Sequence, residues 1–167
     1  MPIATLLFVT GAALAAASDV RSRKVSNRLN LAICLAGLGW RAASLDLGTA
    51  GAGLLGVGVG LAMLLVPFSI RWVGGGDVKL LAAFGAWLGP YDTLVAGLFG
   101  LAGGGVLAIG LAIYGGATVR KTVTKNFTAS IMTMTAPIAP QRVRALVVPL
   151  AVPLAAAAIT VFLARGY

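Results

Sequence analysis

A chain of 167 residues that is 59% hydrophobic and only 10% charged is long enough for one domain and too apolar for an ordinary soluble one, which points to a polytopic membrane protein. Its net charge of +9 would suit a nucleic-acid partner, but the basic residues stand between apolar stretches, and no such partner is expected. One cysteine, Cys34, and no histidine exclude an internal disulfide, the usual zinc sites and histidine-assisted serine or cysteine catalysis, so any acid–base chemistry falls to Asp, Lys, Tyr or Cys34.

The first apolar segment is Ile3 to Ser18. Its Ala-Ala-Ala-Ser end resembles a signal-peptide cleavage site, but no basic residue precedes it and Arg21, Arg23, Lys24 and Arg28 follow. A retained membrane helix with its N-terminus outside is expected. Asn27 to Ala43 is the second span, with Ser26 or Asn27 as its N-cap and Trp40 and Arg41 suited to the outer interface. After a turn at Asp46, the third span runs from about Ala50 to Ile70. Gly56 and Gly60, four apart, permit close helix contact there, and Pro67 is expected to kink the inner end.

The triplet Gly74-Gly75-Gly76 then leads into a short helix, Asp77 to Leu88, stopped by Gly89-Pro90. Twelve residues cover only about 18 Å, against a hydrocarbon core of about 30 Å. A fifth span runs from about Thr93 to Tyr114, a basic linker from Gly115 to Arg144, and a sixth span from Ala145 to Ala164. In the linker Phe127, Ile131 and Met134 have the spacing of an interfacial amphipathic turn. The expected fold is all-α, one domain over 1–167, with six transmembrane helices.

Charge gives the orientation. Of the thirteen basic residues, all but Arg41 and Arg165 fall after spans one, three and five. The positive-inside rule puts those loops in the cytoplasm and both termini outside. Asp19 and Asp77 then share the cytoplasmic side, while Asp46 and Asp92 lie outside as turn residues.

The chain has four acids, all aspartates. An ionisable group at membrane level is costly and usually functional. Asp19 ends the first span and Asp77 begins the fourth, at one membrane face. Two carboxyls in close approach cannot both ionise, so such a pair can activate water with one member and protonate a leaving group with the other. The plainer alternatives are an end-of-helix ion pair for Asp19 with Arg21 and Arg23, and an N-cap for Asp77. Lys79 is a snorkelling cation or an aspartate's partner. Cys34 is core packing. The glycines before Asp77 would let a substrate backbone approach.

The residues Asp19-Val-Arg-Ser-Arg-Lys-Val25-Ser26-Asn27 and Gly74-Gly75-Gly76-Asp77-Val78-Lys79 resemble the two motifs of the type IV prepilin peptidases, aspartic membrane proteases, and in length and span count their small TadV/CpaA type. Ser26 stands where that family usually has Pro, and Pro149-Leu150-Ala151 matches its late Pro-x-Gly pattern only partly. The resemblance implies cleavage of the leader of a type IV or Flp-type prepilin at the cytoplasmic face of the bacterial inner membrane. Asp19 and Asp77 would be the catalytic pair, with Gly74, Gly76, Lys79 and Asn27 in support. No metal or cofactor is implied. The larger relatives also N-methylate the product and carry an extra domain, often with paired cysteines, so peptidase activity alone is expected here. The competing functions are a transporter or ion-conducting bundle relaying protons or cations through Asp19 and Asp77, a non-catalytic assembly subunit, and, more weakly, a Ser–Lys protease using Ser22 or Ser26 with Lys24.

Overall fold

A computed structural model describes residues 2–22, 24–43, 46–69, 73–114 and 149–166. The linker with Phe127, Ile131 and Met134, and the first residues of the sixth apolar segment, Ala145 to Val148, lie outside these. Among the described residues there are six helices and no strand: α1 (Pro2–Ser22), α2 (Asn27–Ala42), α3 (Leu47–Ser69), α4 (Gly75–Leu88), α5 (Pro90–Tyr114) and α6 (Ala151–Arg165).

The helix ends have local causes. Ser26 caps α2, its hydroxyl accepting from Leu29 N at 3.2 Å. Asp46 caps α3 by accepting from the Gly48 and Thr49 amides and the Thr49 hydroxyl. These bonds, the Thr49 hydroxyl first, hold the fully exposed Asp46 carboxyl below the usual carboxylate range. Between α4 and α5, Gly89 turns at φ 76°, a conformation other residues avoid, and Pro90 takes the first helical position of α5. The ends also correct the expected bounds. α1 continues one turn past Ser18, α3 starts before Ala50, and α5 starts at Pro90, three residues before Thr93.

The helices alternate in direction. At one end lie the C-terminus of α1 and the N-termini of α2, α4 and α6, joined by side-chain bonds described below. At the other, buried Arg41 closes α2 onto its neighbours. Its Nε and Nη2 donate to the Trp87 carbonyl at 3.1 and 2.7 Å, and its Nη1 donates to the Thr49 carbonyl at 3.3 Å. Trp87 stands in the last turn of α4, where carbonyls lack intrahelical partners and a cation is favoured. Arg41, expected to suit the outer interface, thus turns its guanidinium inward onto backbone carbonyls. Asp92, expected as a mere turn residue, is buried and paired with Arg165 at 3.1 Å, joining α5 to α6.

α4 sits at the centre, in contact with each of the other five helices. From Leu80 to Leu88 every residue is buried. Close approach to α3 depends on Gly56, Gly60 and Gly85: a Cβ on Gly56 would collide with the Gly85 carbonyl, and one on Gly60 with the Ala82 backbone at 2.7 Å. With no water to drive helices together in lipid, such small-residue contacts supply the dispersion energy of association. An aromatic cluster of Phe8, Phe84, Trp87 and Phe162 ties α4 to α1 and α6, with Phe8 stacked on Phe162 at 4.4 Å between centroids.

Among the described residues three helices are long and apolar enough to cross a membrane, within Ile3–Ser22, Leu47–Ser69 and Pro90–Gly110. The other three have 16, 14 and 15 residues. At 1.5 Å per residue they reach about 21–24 Å. For α4 the shortfall has a structural counterpart, since its neighbours surround it.

Candidate active site

Asp19 lies inside α1, about one turn before its end, and not at the helix terminus as expected. It is buried, at 7% exposure. Its Oδ2 accepts the amide N–H of Ala151 at 3.2 Å. Ala151 is the first residue of α6, whose amide has no partner within its own helix and points a partial positive charge outward. The carboxylate satisfies that amide from 132 residues away in the chain. The turn after α1 is held by Ser18 Oγ, which donates to the Lys24 carbonyl at 2.9 Å, and by Ser22 Oγ, which donates to the carbonyls of Ser18 and Lys24.

Asp77 stands in the first turn of α4 and is half-buried. Gly74 occupies the N-cap position, so the expectation of Asp77 as N-cap is corrected by three residues. The Asp77 amide donates to the Gly74 carbonyl at 3.0 Å. An acid here suits the positive end of the helix dipole. Gly74 has φ −75°, and none of the three glycines has a positive φ, so the backbone does not demand them. Nor does packing at Gly76, where a Cβ would meet the Val25 backbone at an ordinary 3.7 Å. At Gly74 a Cβ would stand 3.3 Å from Asp77 Oδ2. What the glycines provide is a bare backbone beside that carboxyl.

α2 joins the two segments. Asn27 Oδ1 accepts from Lys79 Nζ at 3.0 Å, a bond that neither of the two roles expected for Lys79, snorkelling cation or aspartate's partner, had named. Asn30 Nδ2 donates to the Gly76 carbonyl at 3.1 Å. Ser26 enters the helix at φ −69°, ψ 143°. That φ is one a proline ring would impose, so the backbone path is the same with serine, and the hydroxyl adds a cap. Cys34 packs half-buried against the core.

Asp19 and Asp77 are 58 residues apart in sequence, yet the fold brings them to the same end of the bundle. Both lie at the α1–α2 turn end of the bundle. Asp46 and Asp92 lie at the opposite end, with Arg41 and Arg165. Among the described residues no three potential metal ligands of the His, Cys, Asp or Glu type cluster together. Two participants escaped sequence reasoning. Asn30 looked like part of an apolar span; its one signal was polarity three residues after Asn27, on the same helix face. Ala151 acts through its backbone, which no side-chain pattern announces.

A family model described as the type IV leader peptidase family matches residues 6–109, which include both aspartates and both glycine-flanked and asparagine-bearing segments. A search of curated proteins and one of solved structures found no match.

Proposed function

Because the chain belongs to the type IV leader peptidase family, and is thus a peptidase and a membrane protein, we propose that it is an aspartic endopeptidase in which Asp19 and Asp77 act as a pair on the leader of a type IV or Flp-type prepilin. The observation that carries this reading is the placement of two acids from distant segments at one end of an apolar bundle, Asp19 bound to the start of α6 and the Asp77 turn bound to the start of α2. One carboxylate accepts a proton from water as the water oxygen attacks the scissile carbonyl. The other, protonated, donates to the leaving amide nitrogen as the C–N bond breaks. The bare backbone at Gly74 to Gly76 supports an extended substrate lying beside Asp77. Lys79 and Asn27 hold the first turn of α4 against α2.

In this proposal all six helices cross the bacterial inner membrane, with α2, α4 and α6 as its shorter spans and α4 shielded from lipid. The basic residues near the aspartate pair, Arg21, Lys24, Arg28 and Lys79, put that end in the cytoplasm and both termini outside. The single cysteine cannot supply the cysteine pairs that often accompany methylation in larger relatives, so the product is expected to keep an unmethylated terminus. The test is leader cleavage in membranes holding the full chain and a prepilin whose basic leader ends in glycine, followed by mass spectrometry of the product. An uncleaved prepilin, with the protein inserted, would overturn the proposal.

A further inference from the structure

Asn30 is 3% exposed, on α2, in the otherwise apolar run Leu29-Asn30-Leu31-Ala32-Ile33. Its amide nitrogen donates to the Gly76 carbonyl, and its Oδ1 has no hydrogen-bond partner among the described residues. The amide orientation follows from chemistry, since a carbonyl can only accept and so must face the nitrogen. A buried polar side chain with a vacant acceptor is unfavourable, and an apolar residue of similar shape is usually tolerated or stabilising in its place. Stability alone therefore does not account for asparagine at this position.

Geometry supplies a reason. Asn27 and Asn30 are three apart, on one face of α2, and bond Lys79 and Gly76, three apart on α4. Asp77 stands between the two gripped positions, and α4 begins at a glycine N-cap that makes no side-chain bond of its own. The Lys79 contact is exposed, whereas the Asn30 contact is part-buried. We propose that Asn30 is a positioning residue, whose bond to the Gly76 carbonyl sets where the Asp77 carboxyl stands relative to Asp19. This rests on the aspartate-pair reading above. A displacement of about 1 Å at a reacting group can cost on the order of 10²-fold in rate.

The experiment measures kcat and KM for leader cleavage by membranes holding wild-type protein, Asn30→Leu, Asn30→Asp or Asn30→Gln. The substrate is the same glycine-ended prepilin, and rates are normalised to inserted, folded protein. Asn30→Leu keeps the branched shape and loses the donor, and kcat is expected to fall about 10–100-fold with KM within about twofold. Asn30→Asp, shaped like asparagine but without the amide donor, should fall similarly, which covers the case of a leucine variant that does not insert. Asn30→Gln retains an amide N–H on a longer arm and should recover part of kcat. Near wild-type kcat in both Leu and Asp variants would overturn the proposal. So would a loss explained entirely by less folded protein, or one with no recovery in the glutamine variant. If wild-type protein itself fails to cleave, the peptidase reading fails first; if it cleaves and the variants do too, only the role of Asn30 fails.

Discussion

Lys79 Nζ lies 3.0 Å from Asn27 Oδ1, a hydrogen bond across 52 residues of sequence that ties the segment after Asp19 to the segment holding Asp77. If this bond fixes the two segments together, Lys79→Met and Asn27→Ala should not act independently on cleavage. Each is expected to slow the reaction a few-fold, and the double variant should be little worse than either. That corresponds to a coupling of about 0.5 kcal/mol or more. Fully additive losses in a double-mutant cycle on kcat/KM would show that the contact does not matter to the site.

Asp77→Asn and Asp19→Asn should each abolish leader cleavage while leaving the protein in the membrane. Asparagine keeps the size but can neither take up the water proton nor supply one as an acid. A loss of about 10²–10⁴-fold per group is expected. The double variant should match the singles, because a pair acting as a unit fails together. Asp46→Asn preserves the α3 cap and should cleave normally. Asp92→Asn should also cleave, with stability lowered by about 1 kcal/mol or less, since its partner Arg165 is largely exposed. A transporter or scaffold would show no loss of cleavage specific to Asp19 and Asp77.

Gly56 and Gly85 meet backbone to backbone between α3 and α4, whereas Gly58 on the same α3 has nothing near its Cα hydrogens. Gly56→Ala and Gly85→Ala should each destabilise the protein by about 1–3 kcal/mol through overpacking. Gly58→Ala should be neutral or stabilising by up to about 1 kcal/mol, from helix propensity. Thermal unfolding in detergent would read all three. Equal effects at Gly56 and Gly58 would contradict the packing described.

Arg41 holds the Trp87 carbonyl with two nitrogens of one guanidinium and the Thr49 carbonyl with a third. Lysine cannot reproduce that fork. Arg41→Lys and Arg41→Leu should both lower stability, the leucine variant by about 2–3 kcal/mol. Because these contacts lie at the end away from Asp19 and Asp77, cleavage measured well below the unfolding temperature should persist in both. Loss of cleavage at low temperature, with folding intact, would mean that the two ends are coupled.

Much of this was legible along the chain. Apolar stretches separated by basic loops marked the helices, because lipid and water partition side chains by simple transfer energies. Glycines four apart in α3 announced close packing, and the two aspartates drew notice by being acids in a chain with almost none. Local bonding also carried Ser26 as a cap. What sequence could not decide was partnership. That Arg41 turns inward, that Lys79 meets Asn27, that Asn30 grips Gly76 and that Asp19 meets the Ala151 amide all depend on which helix ends lie side by side. Those pairings join residues 46 to 132 positions apart. They involve backbone carbonyls and amides that every residue possesses, so no residue type signals them. Only the packing of α4 among its neighbours, set by glycine contacts and the aromatic cluster, selects the few groups left in hydrogen-bonding reach.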